Sequence, residues 1–278
     1  MVDPENTPRD HSLRSDSAGT PKDSDLETRL DDGALWLTLN RPETFNALTG
    51  DMIAGTLEQL RTAAGRDDVR VVVLTGTGEA FSAGADLTGD HPERKYDAGS
   101  VDAANHVVRA ITDLDKPVVC GLNGIAAGVG MSVALACDLV VAKESAALTL
   151  AFTKIGLMPD GGATATVAAS VGRARAMRLA MLSELVGARE ALDAGLVSHV
   201  FPDADYEAGL AGIVARLGSG APLAFAATKK AVNAATLGGL PAAFQRERAG
   251  QSLLLRTADV VEGMKAFVEK RRPRFEGR

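Results

Sequence analysis

Cysteine and aromatic side chains are scarce in this chain. It has 2 cysteines among 278 residues, Cys120 and Cys137, and they form no CxxC pair. A disulfide framework or a cysteine-ligated zinc site is therefore not expected. The 4 histidines show no metal-ligand spacing either, so we expect no bound metal. This cysteine usage is typical of a reducing compartment, and we expect a cytoplasmic protein.

Long apolar runs and an excess of basic residues are also absent. No stretch approaches the roughly 20 apolar residues that a membrane-spanning helix needs, and the N-terminal segment has no apolar signal core. The net charge of −6 at pH 7 argues against non-specific binding to nucleic acid or to anionic membranes. We therefore expect a soluble protein whose partners include neither nucleic acid nor a membrane.

Composition divides the chain into three parts. Residues 1–24 are rich in Pro, Ser, Thr and charge, and they are predicted to form a disordered tail because they cannot bury enough apolar surface. Residues 25–215 alternate strand and helix patterns and are predicted to form an α/β core. Residues 216–278 carry helical periodicity throughout. Their last helix places five apolar residues on one predicted stripe: Val260, Val261, Met264, Phe267 and Val268.

Continuous β-branched runs predict strands that are buried on both faces. They are "VRVVVLTG", "KPVVCGLNG" and "CDLVVAKE", and an earlier strand, "ALWLTLNRP", ends at a proline. Thr49 is predicted to cap the helix that follows this first strand. The apolar positions of that helix follow helical spacing: Ile53, Leu57, Leu60 and Ala64. Since strands and helices alternate, the sheet is predicted to be largely parallel.

Two glycine-containing loops follow predicted strands. They are "GEAFSAGADL", residues 78–87, and "NGIAAGVGMSVALACD", residues 123–138. Small residues let a ligand approach the backbone, and free N–H groups at the start of a helix favour negative charge. Tight packing of helix on sheet explains the same composition, so the loops alone decide nothing. The sequence GxGxxG is not matched, and a dinucleotide site gains no support.

One carboxylate, Asp160, lies between a proline and two glycines in "IGLMPDGGATA". Aspartate is a favoured helix N-cap residue, which gives it a purely structural interpretation. Alternatively, an apolar wall including Phe152 and Met158 would desolvate the carboxylate and raise its pKa above the ~3.9 of a free aspartate, toward a useful base. The segment by itself leaves both interpretations open.

Five motifs together resemble the enoyl-CoA hydratase/isomerase (crotonase) family. In order, they are "RPETFNAL", "FSAGADL", "KPVVCGLNGIAAGVGMSVALACD", "IGLMPDGGA" and "GMKAFVEKRRPRF", and the resemblance covers residues 28–275. It implies an α/β fold with a crotonase-like ββα spiral core and a C-terminal helical region that contributes to oligomerisation and pocket closure. It also implies an acyl-CoA thioester substrate, no separate cofactor, and a homotrimer or homohexamer.

The resemblance assigns roles to particular residues. In the family, two backbone N–H groups hold the thioester oxygen, and by motif position they belong here to Ala85 and Val129. One such donor is typically worth ~3–4 kcal/mol in the barrier. The substrate-binding positions implied by the resemblance are Ala47, Ala83, Gly84, Asp86, Leu87, Gly128, Ser132, Phe152 and Lys270.

The chain departs from the hydratase pattern of the family at both acid/base positions. Hydratases carry two glutamates, and the matching residues here are Ser132 and Phe152. Glu144 matches neither position and is expected to be a surface charge. Ring-modifying isomerases of phenylacetate breakdown and certain Δ3,Δ2-enoyl-CoA isomerases resemble this chain in placing their carboxylate at the position of Asp160.

A single carboxylate suits the movement of a double bond, because one base can take a proton from one carbon and return it two carbons away. We therefore predict an enoyl-CoA isomerase with Asp160 as the acid/base residue. The alternatives are an enoyl-CoA hydratase with non-standard acid/base residues and a catalytically weak acyl-CoA-binding protein. A nucleophilic Asp160, as in dehalogenating members of the family, ranks below these because aromatic residues make up only 4% of the chain.

Overall fold

A computed structural model describes residues 24–89 and 91–278, so nearly all of the predicted tail, residues 1–24, lies outside the described residues. The strands are β1 (Leu26–Asp31), β2 (Ala34–Leu39), β3 (Val71–Gly76), β4 (Ala80–Ser82), β5 (Val118–Leu122), β6 (Ile125–Ala127), β7 (Leu139–Lys143), β8 (Ala147–Thr149), β9 (Val186–Gly187) and β10 (His199–Phe201). The α-helices are α1 (Gly50–Ala64), α2 (Ala98–Asp113), α3 (Val129–Ala136), α4 (Ala163–Leu182), α5 (Ala188–Ala194), α6 (Tyr206–Gly218), α7 (Pro222–Thr236), α8 (Leu240–Leu254) and α9 (Ala258–Val268). Short 3-10 helices span Pro42–Thr44, Pro92–Arg94 and Ala151–Ile155.

The strands form two sheets that the chain visits in turn. One sheet has six strands in the order β1-β2-β3-β5-β7-β10, and the other has four in the order β4-β6-β8-β9. Three successive units place a strand in the first sheet, a strand in the second and then an α-helix: β3-β4-α2, β5-β6-α3 and β7-β8-α4. This winding is a ββα spiral, and it confirms the predicted α/β fold class.

The largest sheet is parallel except at its β1 edge, as predicted. The hairpin β1-β2 is antiparallel, whereas β2, β3, β5, β7 and β10 are paired in parallel. Alternate residues of β3 pack on opposite sides of this sheet: Val72 and Leu74 belong to the main core, and Val71 and Val73 pack against α6. Burial on both faces explains why the sequence of this strand has no polar alternation.

Helix α1 begins as predicted but presents a slightly different face to the core. The Oγ1 of its N-cap residue, Thr49, accepts a hydrogen bond from the N–H of Met52 at 3.2 Å. The prediction that Ala64 belongs to the buried stripe is wrong, because Ala64 is exposed and Ala63 is fully buried. Packing against α2 and β2 decides the face. Ile53 lies at its edge, where it lines the cavity described below.

The C-terminal helices pack on the body of the protein. The boundary predicted at residue 215 falls inside α6, which lies against the parallel sheet. Helix α8 packs on α2 and α4, and α9 packs on the 3-10 helix Ala151–Ile155. The predicted apolar stripe of α9 is split, because Val260 and Met264 are buried whereas three residues are exposed in the single chain: Val261, Phe267 and Val268.

Other expectations from composition concern membranes, cysteines and metals. Among the described residues, no single helix is long and apolar enough to span a membrane, and α6 with α7 meets the criterion only as a pair bent by 104°. Cys120 and Cys137 are both free and buried. In the same part of the chain, no three His, Cys, Asp or Glu side chains converge on a position for a metal ion.

Candidate active site

A cavity of about 650 Å³ lies between the start of α3, the loop of residues 83–87 and the C-terminal helices. That volume lies within the range typical of sites for small molecules. Apolar side chains from several elements form much of its wall: Ile53, Val101, Phe152, Leu157, Leu255 and Met264. The cavity therefore offers an apolar chamber that is closed by residues from both ends of the sequence.

Most of the predicted site residues converge on this cavity. Those that line it are Ala83, Gly84, Ala85, Asp86, Leu87, Gly128, Val129, Phe152 and Asp160. Ala47 is buried behind the wall, where its carbonyl accepts a hydrogen bond from Arg41 at 2.8 Å. Ser132 lies beneath Asp160. Lys270 is exposed beyond α9, outside the lining in the single chain, and its role toward phosphate stays a prediction.

The N–H of Ala85 is available to a ligand because of how its neighbours pair. The N–H of Leu48 donates to the carbonyl of Gly84 at 2.7 Å, and the N–H of Asp86 donates to the carbonyl of Leu48 at 3.2 Å. In such a parallel bridge the N–H of the intervening residue points away from the partner. Within residues 24–89 and 91–278, the Ala85 N–H meets no acceptor.

The N–H of Val129 is available because it belongs to the first turn of α3. The N-cap residue, Gly128, has a φ of +53° and no side chain to cap the helix. The first N–H groups of a helix have no partner inside it, and they carry the positive end of the helix dipole. A Cβ on Gly84 would lie 2.9 Å from the carbonyl oxygen of Ala127, so the two loops that carry these donors are in contact. Two neighbouring free N–H groups can stabilise a developing oxyanion.

Asp160 lies at this cavity with its carboxylate almost withdrawn from water. Its side chain is buried, and Oδ2 accepts a hydrogen bond from Nε2 of Gln251 at 2.7 Å. No group in the described part of the chain bonds to Oδ1. Desolvation raises the pKa of Asp160 to about 7, with the charge of Glu247 adding to the rise and the Gln251 hydrogen bond opposing it. A carboxyl group of this pKa can both accept and return a proton near neutral pH.

The alternative interpretation of Asp160 as a helix cap is wrong. The N-cap residue of α4 is Gly162, and no side chain of the segment caps the helix. Glu247 of α8 does so instead: its carboxylate accepts the N–H of Gly162 at 2.7 Å and the N–H of Thr164 at 2.9 Å. A buried carboxylate at a helix N-terminus is stabilised by those donors and by the dipole. The side chain of Asp160 is thereby left for the cavity.

The other carboxylates of the cavity wall have the opposite electrostatic environment. Burial alone would raise the pKa of Asp86. Hydrogen bonds from Thr88 and the charges of two nearby cations oppose this effect and hold the pKa below its ordinary value. Hydrogen bonds from Ser100 lower the pKa of Asp97, which caps α2. When neighbouring carboxyl groups have different pKa values, the one with the raised pKa can carry a proton at neutral pH while the others stay ionised. Asp160 is therefore the carboxyl group of this wall suited to proton transfer.

The two positions that match hydratase glutamates are occupied by side chains without acid/base function. Ser132 is fully buried, and its Oγ donates to the main-chain carbonyl of Asp160 at 2.7 Å. Phe152 is part of the cavity wall, as predicted. Met158 is not among the residues that line the cavity, and its sulfur lies near Gly250 of α8, so its predicted part in desolvating Asp160 stays a prediction.

Several residues of the site could not be identified from the sequence. Gln251 and Glu247 lie 91 and 85 residues from their partners, too far apart for a local pattern to pair them. Leu255, Met264 and Phe267 complete the wall. The one sequence signal was the apolar content of the last two helices. It indicates that these helices pack against other elements, but it does not identify those elements. Glu144, in contrast, is exposed and paired with Arg189 at 2.9 Å, as expected.

Comparison with known proteins agrees with this geometry. The family model described as enoyl-CoA hydratase/isomerase matches residues 30–278. A probable enoyl-CoA hydratase of Rhodobacter capsulatus is 42% identical over 255 residues, covering 91% of this chain and 98% of that protein. The 1,2-epoxyphenylacetyl-CoA isomerase of Escherichia coli is 36% identical over 264 residues, covering 90% and 98%.

A solved structure shares the fold as well. The crystal structure of an enoyl-CoA hydratase from Mycobacterium avium subsp. paratuberculosis K-10 has a TM-score of 0.86 and 48% identity, covering 91% of this chain and 99% of that one. The family match over residues 30–278 includes the cavity and the C-terminal helices. The chain belongs to the enoyl-CoA hydratase/isomerase family and has its crotonase-type α/β fold.

Proposed function

We propose that this protein is an enoyl-CoA isomerase that converts a 3-enoyl-CoA into its 2-enoyl isomer. Asp160 takes a proton from the carbon next to the thioester, and the electrons move onto the carbonyl oxygen to form a dienolate. The N–H groups of Ala85 and Val129 hold that oxyanion. The protonated Asp160 then returns its proton two carbons further along the chain, and the double bond ends beside the thioester.

The observation that carries the proposal is that one carboxyl group with a raised pKa, that of Asp160, lines the same cavity as Ala85 and Val129. Hydration activates a water and also protonates the neighbouring carbon, which suits two carboxylates. Ser132 and Phe152 occupy the positions where family hydratases have glutamates, and Asp86 and Asp97 are held ionised. The pKa of Asp160, raised to about 7, suits one group that both removes and returns a proton.

We infer that the acyl group occupies the apolar cavity and that the CoA moiety follows the backbone of residues 83–87. Lys95 and Lys154 supply positive charge to the cavity wall, and Lys270 remains a candidate for phosphate contact, from the same or a neighbouring subunit. The exposed apolar side chains of α9 and of the end of α4, including Met181 and Leu182, favour a trimer or hexamer in which these faces are covered.

A specific observation favours a second candidate, an enoyl-CoA hydratase with non-standard acid/base residues. The relative from Rhodobacter capsulatus and the solved structure from Mycobacterium avium are both described as hydratases. An acyl-CoA-binding protein without turnover is the remaining alternative. The three candidates differ in what they do with two substrates that are isomers of each other.

The test supplies 3-hexenoyl-CoA and 2-hexenoyl-CoA separately and measures isomerisation and hydration products. The proposal expects isomerisation of the first to exceed hydration of the second. It expects Asp160→Asn to lower isomerisation by a factor of ~10²–10⁴, while the surface control Glu144→Gln keeps the wild-type rate. Hydration faster than isomerisation would support the hydratase, and binding without either product would support the non-catalytic alternative.

A further inference from the structure

Helix α8 holds the segment around Asp160 at two points that are one helical turn apart. Gln251 makes two hydrogen bonds to this segment. Its Oε1 accepts the N–H of Met158, two residues before Asp160, at 3.2 Å, and its Nε2 donates to Oδ2 of Asp160 itself. Glu247 accepts the main-chain N–H of Gly162, beyond the carboxylate. Residues four apart lie on one face of a helix, so one face of α8 clamps both sides of Asp160.

The orientation of the Gln251 amide is fixed by its two partners. The N–H of Met158 can only donate, so the amide oxygen must face it. The NH₂ group must then face Asp160, where Nε2 lies 2.7 Å from Oδ2. Gln251 is 1% exposed, so water does not compete for either contact.

Building on the acid/base role proposed for Asp160, we infer that Gln251 is the positioning residue of that carboxylate. The donor that faces Oδ2 keeps a proton off this oxygen. Oδ1 is buried and meets no hydrogen-bond partner among the described residues, so the proposal places on Oδ1 the proton that is exchanged with substrate. Gln251 thereby fixes both the rotation of the carboxyl group and the identity of the reactive oxygen.

The same contact sets the balance between the two charge states of Asp160. The Gln251 hydrogen bond lowers the pKa, whereas burial and the charge of Glu247 raise it. The neighbouring α3 presents the neutral Ser132. The other charged side chains of the cavity wall have no comparable effect on this pKa: Asp86, Lys95, Asp97 and Lys154. Without Gln251 the carboxylate loses the one interaction that favours its ionised form.

The test measures kcat/KM against pH for the conversion of 3-hexenoyl-CoA. Gln251→Met keeps the volume and removes the donor, and Gln251→Leu removes it with a different apolar shape. In both variants we expect the acid limb of the profile to move to higher pH by about one pH unit, with activity recovering at alkaline pH. The matched control is Gln245→Met, which changes an exposed glutamine on the same helix and should leave the limb in place.

A purely structural role for Gln251 would lower kcat/KM at every pH without moving the limb, and that result would overturn the inference. A second readout avoids catalysis: carbon-13 NMR of labelled aspartate carboxyls, with the Asp160 signal assigned by its loss in Asp160→Asn, should titrate at higher pH in Gln251→Met. If Asp160→Asn keeps isomerase activity, the proposed function fails. If Asp160→Asn is inactive but neither readout moves in the Gln251 variants, only the role of Gln251 fails.

Discussion

The side-chain amide of Gln251 donates a 2.7 Å hydrogen bond to Oδ2 of Asp160 across 91 residues of sequence. This contact joins the ββα spiral to the C-terminal helices at the point where the chemistry is proposed to occur. The C-terminal region therefore does more than cover the cavity, because it supplies the donor that opposes the desolvation of the carboxylate. Movement of α8 would change the pKa of Asp160 as well as the shape of the pocket.

The buried carboxyl group of Asp160 is expected to reduce stability above neutral pH. Its pKa is about 7 in the folded protein and ~3.9 in an unfolded chain. Between these values the folded state keeps a proton that the unfolded state has lost, so the free energy of unfolding falls as the pH rises through this window. The full effect, on the order of 4 kcal/mol, is present above pH 7.

Asp160→Asn removes this effect and leaves one unpaired amide group, which costs about 1–3 kcal/mol. We expect the variant to be more stable than the wild type at pH 8 by roughly 2 kcal/mol and to lose this advantage near pH 4. Urea unfolding at both pH values, with equal protein concentration, measures the difference. The surface control Asp115→Asn should show no such pH dependence, and an equal change at both pH values in Asp160→Asn would contradict the prediction.

A second prediction concerns the attachment of α7. The Nζ of Lys229 donates to Oδ2 of Asp138 at 2.8 Å and to the carbonyl of Ile111 at 2.7 Å, and burial raises the pKa of Asp138 against the influence of that cation. Lys229→Met leaves the carboxylate and the carbonyl groups without their partner. We expect a loss of roughly 2–3 kcal/mol in the free energy of unfolding, because a mostly buried ion is left uncompensated.

The adjacent lysine provides the control for this prediction. Lys230 pairs with Asp115 at 2.7 Å, and both side chains are more than half exposed. An exposed pair contributes about 0–1 kcal/mol, so Lys230→Met should change stability little. Urea unfolding of the two variants side by side tests the contrast. Equal losses would show that burial of the Lys229 pair has no energetic consequence.

The sequence was informative wherever local chemistry decides the structure. The unbroken β-branched runs of β3, β5 and β7 follow from burial on both faces, and Thr49 caps α1 through a bond to a residue three positions away. The glycines of the two loops are visible in the sequence, and the structure explains one of them: Gly84 has a φ of +97°, a conformation that other residues avoid. Such features depend on a few neighbouring residues, which the sequence displays together.

Tertiary packing decided the features that the sequence left open or that were predicted wrongly. Whether Asp160 caps α4 depended on Glu247, which performs that role from another helix. The face of α1 that is buried depends on which elements pack beside this helix. Helical spacing places Gln251 on the same face of α8 as the buried Leu240 and Phe244, but this spacing does not reveal which carboxylate it meets. Contacts of this kind become visible only in three dimensions.

A third prediction is that restoring a hydratase glutamate at Ser132 fails. Ser132 has no exposed surface, and a Cβ on Gly161 would lie 2.9 Å from the Cβ of Ser132, so the longer side chain has no space. Ser132→Glu adds overpacking of about 1–3 kcal/mol to the cost of an unpaired buried charge. We expect a loss of stability without a gain in hydration of 2-hexenoyl-CoA. Ser170→Glu, at an exposed position on α4, should change stability by about 0.5 kcal/mol or less.

The last prediction tests the oxyanion site without touching a side chain that contacts substrate. In Gly84→Ala, the added methyl group meets the carbonyl of Ala127 at 2.9 Å, at a φ of +97° that alanine disfavours. Relief of both strains shifts the loop of residues 83–87 or the Ala127–Gly128 segment that precedes Val129, and either shift changes the direction of one of the two donors. Removing one such donor typically lowers kcat by about 10²–10³-fold, and we expect a loss of kcat of about 10²-fold with a smaller change in KM.

Gly212→Ala is the matched control for this variant, because the same methyl group on α6 has no atom within 4 Å and φ is not positive there. Its kcat should equal that of the wild type. Rates are expressed per folded protein, determined from the native signal in the same sample, so that partial unfolding of Gly84→Ala does not imitate a catalytic defect. A folded Gly84→Ala protein with wild-type kcat would contradict the proposed oxyanion role of this pair of donors.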